Sequence, residues 1–215
     1  MERNGALDLF SDLGAVPSVN VDFFGNAYVL HRALRSGASG TFDSAAILAS
    51  RYDASSKKWL KFDGNNYKII LTPDPSTDDF YSQIKSVLAD DGSVFFISQF
   101  SASPEGLQTG KLNQSLQLSE LVKFNRDGLS SSRLSDIAVS KSGQITIAEC
   151  RDSKTFTITR TGPASWLDPK EISLQGTSQT IEPVLSSSSS NQIFLAWYQN
   201  QIGESFTVCY FSVLS

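Results

Sequence analysis

The sequence has only two cysteines and one histidine among its 215 residues. Three such residues cannot supply the four ligands of a Cys/His zinc site, so this class of metal site is excluded. Only His31 could act as the base of a Ser-His-Asp or Cys-His arrangement, and no nearby serine or cysteine has the context of a nucleophile. We therefore interpret His31 as a structural residue. Cys150 and Cys209 each lie in an apolar run, which predicts buried, reduced thiols.

Charge is also scarce, since charged residues make up 19% of the chain and the formal net charge is −4. This balance argues against a surface that follows nucleic acid phosphates, so no nucleic acid partner is predicted. No apolar run reaches the length of a spanning helix, which predicts no membrane span. The first residues lack the pattern of a secretory signal. The chain is expected to be cytoplasmic if Met1 is the natural start, and secreted or at the cell surface if an export signal precedes it.

Loop carboxylates are the remaining candidates for a metal site, because calcium binds to aspartates and backbone carbonyls. The acidic stretch from Asp74 to Asp79 lacks the ligand spacing of a calcium loop, and Asn125 to Gly128 has the sequence of a common β-turn. We predict no metal and no cofactor.

What the sequence does contain is a repeat. Four segments share the pattern of an alternating apolar strand, a turn and a second apolar strand, and they begin at Pro17, Ile84, Ser135 and Ile181. Gly25, Gly92, Gly143 and Asn191 occupy equivalent turn positions, and all are residue types that tolerate positive φ. The spacing predicts a repeating unit of about fifty residues.

Further strand-like segments follow each hairpin, so each unit is predicted to form a four-stranded sheet. Such units arranged around an axis form a β-propeller, in which repetition protects the sheet edges. We predict an all-β fold, a propeller of four blades or part of a larger ring, as one domain over residues 1–215. The last unit lacks its fourth strand, and residues 6–10 are predicted to supply it. The blade units are placed at about 16–72, 84–133, 135–175 and 181–215.

Two stretches resemble bacterial propeller repeats of the sialidase-like kind. They are Pro17 to Ala27, with Pro-x-Val-x-Val-Asp leading into Gly-Asn-Ala, and Ala49 to Trp59, with Ala-Ser-Arg-Tyr-Asp followed by Trp. The Ser-x-Asp-x-Gly-x-x-Trp box of many sialidase blades is absent from the sequence. The arginines that a sialidase would need for its substrate carboxylate do not recur at equivalent positions. The resemblance therefore implies a propeller architecture rather than sialidase activity.

One segment allows two interpretations. Ser76 could cap a helix in which Phe80, Ile84, Val87 and Leu88 share one face. The repeat instead requires an extended strand from Ile84 to Ala89, ending in an Asp-Asp-Gly turn. We favour the extended strand, preceded by a short helical turn over residues 78–82.

The first strand of each unit lines the axis of a propeller, so its polar side chains are candidates for a ligand site. The second position of this strand is polar in every unit and predicts a mixed ring at one mouth of the channel. The ring residues are Ser18, Lys85, Asp136 and Glu182. They could bind a ligand, or form a neutralising network in a hydrated channel.

Aromatic residues offer a second candidate site. Trp197 and Tyr198 end a strand beside a polar loop, where they could form a stacking platform for a sugar or an anchor for a protein, or pack in the core. The connections around residues 34–43 and 101–114 read as long loops on one face, where binding residues are often found.

We predict that the protein is a non-catalytic binding or scaffolding propeller that recognises a protein or a glycan through these loops. One alternative is a glycoside hydrolase or lyase with two carboxylates over the channel, drawn from candidates such as Asp22, Asp53 and Glu149. Another is a structural segment of a larger surface protein. The sequence makes no prediction of the oligomeric state.

Overall fold

The computed structural model describes residues 9–11, 16–36, 42–72, 81–100, 106–125, 135–151, 154–173, 177–201 and 207–214. Every regular element in these ranges is a β-strand, and neighbouring strands pair in the antiparallel direction. The strands form four sheets that fit four propeller blades, so the predicted all-β fold of repeated blades is confirmed. None of the described ranges contains a helix that could cross a membrane.

The four sheets follow one another along the chain. Sheet 1 contains β1 (Leu9–Ser11), β2 (Ser18–Val21), β3 (Ala27–Ser36), β4 (Phe42–Asp53), β5 (Lys58–Trp59) and β6 (Lys68–Leu71). Sheet 2 contains β7 (Tyr81–Leu88), β8 (Val94–Phe100), β9 (Gly106–Leu112) and β10 (Leu118–Asn125). Sheet 3 contains β11 (Ser135–Val139), β12 (Ile145–Arg151), β13 (Lys154–Gly162), β14 (Ser165–Trp166) and β15 (Lys170–Glu171). Sheet 4 contains β16 (Thr177–Ser187), β17 (Ile193–Gln201) and β18 (Thr207–Leu214).

The first hairpin of each sheet turns at the residue that the repeat predicts. Gly25, Gly92, Gly143 and Asn191 have φ angles of 85°, 77°, 82° and 69°. Side chains restrict this region of φ, which glycine enters freely and asparagine tolerates. The four equivalent turns therefore explain why the sequence places these residue types at this spacing.

The N-terminal strand does not complete the last sheet, so this part of the prediction is wrong. β1 pairs with β3, where Leu9 lies opposite Arg35 and Ser11 lies opposite Ala33. The reason is that β3 is longer than β2. Because β2 pairs with β3 only from Ala27 to Leu30, the rest of this edge of β3 is open to another strand. β1 continues along the same edge of β3, and sheet 4 has three strands in the part of the chain that the structure describes.

The second predicted loop, residues 101–114, contains a strand. β9 spans Gly106–Leu112 and pairs with β8 along its whole length, and β10 follows it as the fourth strand of sheet 2. Leu107 and Leu112 are fully buried, which stabilises this glycine-containing segment in the sheet. The first long connection also shortens, because β3 and β4 extend into it. Residues 37–41 and 101–105, which join these strands, lie outside the described residues.

The segment for which the sequence allows a helix or a strand is extended from Tyr81 onward. β7 runs from Tyr81 to Leu88 and pairs with β8, and it includes a register shift between Tyr81 and Ile84. The strand is therefore confirmed, and the predicted helical turn is wrong at Tyr81 and Ser82. Residues 78–80 of that predicted turn lie outside the described residues.

The chain divides into two compact units, each with two sheets. The N-terminal unit comprises Met1–Leu88 with Gly92–Asp127, and the C-terminal unit comprises Ala89–Asp91 with Gly128–Ser215. Sheets 1 and 2 share an apolar core that includes Tyr28, Ile47 and Phe96. Sheets 3 and 4 share a second core that includes Leu195 and Trp197. The grouping of all four sheets into one domain remains a prediction.

Neither cysteine is in a disulfide bond, and neither is buried as predicted. Cys150 is half-buried and Cys209 is exposed. Cys209 lies opposite Tyr198 in the pairing of β18 with β17, on a sheet face that the core does not cover. An apolar run in a strand therefore did not imply that both faces of the strand are buried.

Candidate functional site

The predicted ring residues of the N-terminal unit lie where β2 of sheet 1 meets β7 of sheet 2. The hydroxyl oxygen of Ser18 accepts hydrogen bonds from the backbone N–H of Ser86 at 2.9 Å and from the Ser86 hydroxyl at 2.7 Å. Asn20 donates from its side-chain amide to the same Ser86 oxygen at 2.7 Å. Lys85, beside Ser86 in the strand, is exposed. Ser18 thus has a structural partner in the neighbouring sheet.

Asp136 makes the equivalent contact in the C-terminal unit. Its Oδ2 accepts a hydrogen bond from the backbone N–H of Leu185 in sheet 4 at 2.8 Å. Counted from the hairpin turns, Asp136 matches Ser18 and Leu185 matches Ser86. A side-chain oxygen in one sheet and a backbone donor in the next therefore form a repeated inter-sheet hydrogen bond.

Glu182 lies in the irregular part of β16, where the register shifts between Ile181 and Val184. Val184 stands seven residues before the turn at Asn191, as Ser18, Lys85 and Asp136 do before their own turns, so it takes their position in sheet 4. The segment that begins at Ile181 is two residues longer before its turn than the other three, which the sequence alignment did not account for. The use of Ser18, Lys85, Asp136 and Glu182 as ligand residues remains a prediction.

Trp197 and Tyr198 do not form one aromatic platform. Trp197 is 4% exposed, stacks on Tyr210 at 5.8 Å and donates a hydrogen bond from Nε1 to Oε1 of Gln199 at 2.9 Å. Tyr198 is 48% exposed. Consecutive side chains of a strand point to opposite faces, so only Tyr198 is available to a partner.

Glu149, a candidate catalytic carboxylate, is fully buried and forms an ion pair with Arg151 two residues along β12. The Arg151 guanidinium carbon also lies 5.6 Å from the centre of the Phe156 ring. Buried carboxylates in proteins are normally paired in this way, because an isolated charge is costly to remove from water. Glu149 is therefore a buried, ion-paired residue of sheet 3.

His31, the single histidine of the chain, is part of β3. Burial lowers the pKa of its imidazole from the usual value of 6.5. The folded chain therefore binds fewer protons than the unfolded chain as the pH falls through this value, and folding stability decreases toward lower pH. Because His31 is the single histidine, His31→Gln should flatten this dependence.

Thermal unfolding between about pH 7.5 and about pH 5.5 tests this prediction, since few other side chains titrate there. We expect the wild-type melting temperature to fall further across this interval than that of His31→Gln. Equal shifts in the two proteins would contradict the assignment.

The described residues of the C-terminal unit enclose a cleft of about 320 Å³ beside strand β13. Thr157 and Thr159 of β13 line one side, and Ser212, Val213 and Leu214 of β18 line another. The segment of residues 165–172, here called the strap, supplies the remaining wall. Its lining residues are Leu167, Asp168, Lys170 and Ile172.

Backbone hydrogen bonds hold the strap along β13. Leu167 donates its N–H to the carbonyl of Thr159, and Ile172 donates to the carbonyl of Thr155, each at 2.9 Å. Near the end of the strap, Lys154 Nζ lies 3.0 Å from Glu171 Oε2, and this hydrogen bond is the main cause that lowers the Glu171 pKa. The strap is thus fixed at both ends, and Asp168 and Lys170 lie between these attachments.

Alternate residues of β13 give one side of the cleft its hydroxyl groups. Thr155, Thr157 and Thr159 share a face of the strand, and Thr155 and Thr157 are buried. The Thr155 hydroxyl has no hydrogen-bond partner among the described residues. Buried hydroxyls are usually paired, so Thr155, the neighbour of Thr157 on this face, retains unused hydrogen-bonding capacity.

The cleft lining is suited to a polar ligand. It combines hydroxyls, one carboxylate and one ammonium group with the apolar side chains of Leu167, Ile172 and Leu214. Ligand sites typically pair an apolar wall with a few polar groups that fix orientation. The lining that the structure describes offers hydrogen bonds and ion pairs, with Asp168 as its carboxylate.

The sequence did not identify this cleft. The threonines at every second position of residues 155–161 predict a hydroxyl-bearing face of a strand, but this pattern does not predict the strap beside it. The position of the strap depends on β14 and β15, which are two residues each and carry no strong sequence signal.

No family model matches the sequence, and no curated protein matches it. Solved structures do resemble it in fold. A PL25 ulvan lyase bound to a GlcA(1-4)Rha3S unit matches 95% of this chain and 56% of its own, with a TM-score of 0.56 and 10% identity. A GH43 β-1,3-galactosidase matches 96% of this chain and 47% of its own, with a TM-score of 0.54 and 10% identity.

A third similar structure is an N-acetylgalactosamine deacetylase from F. plautii in complex with blood group B trisaccharide. It matches 92% of this chain and 70% of its own, with a TM-score of 0.50 and 9% identity. The chain spans about half the length of the ulvan lyase and of the galactosidase. At these identities the likeness concerns the fold, an all-β arrangement of sheets that fit propeller blades.

Proposed function

We propose that this chain is a saccharide-binding propeller module that holds its ligand in the strap cleft. The observation that carries the proposal is the cleft lining, in which Thr157, Thr159 and Ser212 present hydroxyls beside the charged groups of Asp168 and Lys170. Sugar hydroxyls donate and accept hydrogen bonds, and such mixed polar groups complement both roles. The apolar side chains of the cleft would pack against the C–H faces of a sugar ring.

The three similar structures support the saccharide class by analogy of fold. Their descriptions concern ulvan, a β-1,3-galactoside and an N-acetylgalactosamine substrate, so all three act on carbohydrates. Fold alone does not determine function, whereas the cleft is a feature of this chain itself. A hydrolase of the usual type needs two carboxylates about the scissile bond, whereas binding needs only the polar groups described.

The test uses a panel of sulfated glucuronyl-rhamnose, β-1,3-galactan and blood group B oligosaccharides, with affinity measured by calorimetry. Thr159→Val removes a hydroxyl while keeping the side-chain shape, and Lys170→Met removes the ammonium group. We expect Thr159→Val to weaken binding about three- to tenfold, the usual value of one neutral hydrogen bond. Lys170→Met should weaken it about tenfold or more, because hydrogen bonds to charged groups are stronger.

Thr161→Val is the matched control, because Thr161 belongs to the same strand but its hydroxyl lies 3.1 Å from that of Ser165 and not in the cleft lining. Its affinity should equal that of the wild type. Unchanged binding in both cleft variants would place the site elsewhere, and the absence of binding to every saccharide in the panel would refute the proposed function. Release of new reducing ends during the titration would instead indicate an enzyme.

A further inference from the structure

Strand pairing places Lys170 beside one wall of the strap cleft. Lys170 of β15 lies directly opposite Thr157 of β13, and residues that are directly opposite in an antiparallel pair project to the same face of the sheet. Thr157 is 7% exposed and lines the cleft. The side chain of Lys170 therefore starts next to a hydroxyl group that is largely shielded from solvent.

The charged side chains on the opposite face of sheet 3 have partners. Glu149 forms an ion pair with Arg151 there, and Lys154 forms a second ion pair with Glu171. Lys170 differs from these cations, because within the described ranges no carboxylate lies at ion-pair distance from it. An ammonium group has three hydrogen-bond donors and no acceptor, so the cation on the cleft face is available to an anionic group of a ligand.

Hydroxyl donors continue along the cleft face of β13. Thr155, Thr157 and Thr159 alternate along the strand, and the buried hydroxyl of Thr155 has no hydrogen-bond partner among the described residues. A hydroxyl can donate as well as accept, whereas the ammonium group only donates. A carboxylate or sulfate has several acceptor oxygens, so it can accept charge-assisted hydrogen bonds from the ammonium group and further ones from neighbouring hydroxyls.

Asp168 is the other charged residue of the cleft lining. It lies between β14 and β15, in a part of the strap without strand pairing, whereas Lys170 is held opposite Thr157. A carboxylate only accepts hydrogen bonds, so Asp168 suits the hydroxyl groups of a sugar ring. Charge interactions are stronger where protein excludes water than in bulk solvent. The shielded wall beside Lys170 therefore favours Lys170 over Asp168 as the residue that selects the charge of the ligand.

We propose that the strap cleft selects acidic saccharides, with a carboxylate or sulfate group of the sugar bound between Lys170 and Thr157 and ring hydroxyls donating to Asp168. This inference rests on the proposed saccharide site and adds the charge of its ligand. The formal net charge of the chain is −4, so the chain as a whole does not attract an acidic ligand. Selection of an acidic group thus depends on the local cation in the cleft.

Calorimetry with one oligosaccharide in charged and neutral forms tests the inference. The sulfated glucuronyl-rhamnose oligosaccharide is compared with the same compound after removal of the sulfate, after reduction of the carboxyl group to a hydroxymethyl group, and after both changes. We expect wild type to bind the charged compound at least about tenfold more tightly than the fully neutral one, because hydrogen bonds to charged groups are stronger than neutral ones. The two singly modified compounds show which of the two anionic groups Lys170 binds.

Substitutions at Lys170 and Thr157 assign the preference to this part of the cleft. Lys170→Met should reduce the preference for the charged compound to less than about twofold, and Lys170→Arg should keep it because the charge remains. Thr157→Val should weaken binding of the charged compound about three- to tenfold. Lys141→Met is the matched control, since Lys141 is an exposed lysine of sheet 3 outside the cleft lining, and its preference should equal that of wild type. Far-ultraviolet circular dichroism confirms that each variant is folded.

The outcomes separate this inference from the proposed function. If wild type binds the charged and the neutral compounds equally, the saccharide site stands and the inference about charge is wrong. A preference that survives in Lys170→Met would place the anionic group elsewhere and overturn the inference as well. Tighter binding of protonated glucosamine oligosaccharides, lost in Asp168→Asn, would assign the opposite charge to the ligand. Absence of binding to every compound would refute the proposed function itself.

Discussion

Phe96→Ala is expected to lower the free energy of unfolding by about 3–5 kcal/mol, which is the usual cost of removing a buried aromatic ring. Phe96 is fully buried in the core of the N-terminal unit, together with Tyr28, Leu30 and Ile47 from the facing sheet. Its ring fills the space above Gly110 of β9. The variant loses both the buried apolar surface and these contacts, because the surrounding core cannot collapse fully into the cavity. Urea denaturation followed by fluorescence measures the change.

The contact between the Phe96 ring and Gly110 leads to a second prediction, coupled to the first. A Cβ atom at Gly110 would lie 2.7 Å from Cζ of Phe96, closer than atoms can approach. Gly110→Ala should therefore lower the free energy of unfolding by about 1–3 kcal/mol in the wild type. In a Phe96→Leu background the cost should be smaller but not zero, because the ring atoms that clash are absent whereas the close contact of the added Cβ with Leu118 Cδ1, at 2.9 Å, remains. Additive costs would contradict the proposed contact.

Arg151→Met is the second substitution with a large expected effect, a loss of about 3–5 kcal/mol in the free energy of unfolding. The side chain of Glu149 is fully buried and that of Arg151 is 12% exposed, so the variant removes this cation from beside a carboxylate in the interior. Removing one partner of a buried ion pair costs more than the pair itself contributes, which makes this loss larger than that of a surface ion pair. Chemical denaturation at neutral pH measures it.

Lys154→Met is the matched control for this prediction. Lys154 and Glu171 also form an ion pair, but their side chains are 54% and 39% exposed. We expect a loss below about 1 kcal/mol, as for other exposed pairs. Replacing Glu149 and Arg151 together by methionine should recover most of the stability lost in Arg151→Met, because no charge then remains buried. A double variant as unstable as the single one would show that the cost comes from packing rather than from charge.

The repeat made the first hairpins of the fold predictable. Alternating apolar residues and the turn residues Gly25, Gly92, Gly143 and Asn191 specify strand pairs whose register the turn determines. β9 was missed because its glycines and polar residues are typical of loops, and its strand is stabilised by tertiary burial of Leu107 and Leu112. The pairing of β1 depended on how far β3 extends beyond β2, which no local pattern specifies.

The candidate site was less predictable than the fold. Adjacency in a strand already implies that Trp197 and Tyr198 point to opposite faces, but it does not say which face the core covers. The structure buries Trp197 and leaves Tyr198 exposed. The strap cleft depends on backbone hydrogen bonds of Leu167 and Ile172 to β13, which are long-range features without a side-chain signature.

The most direct test of the central claim is a residue-resolved map of saccharide binding by NMR. The isotope-labelled chain is titrated with the tightest-binding oligosaccharide of the panel while the backbone amide signals are followed. We predict that the largest shifts fall on the amides of residues 157–159 and 167–172, which surround the cleft. Shifts confined to β2 and β11, the strands that carry Ser18 and Asp136, would contradict the account.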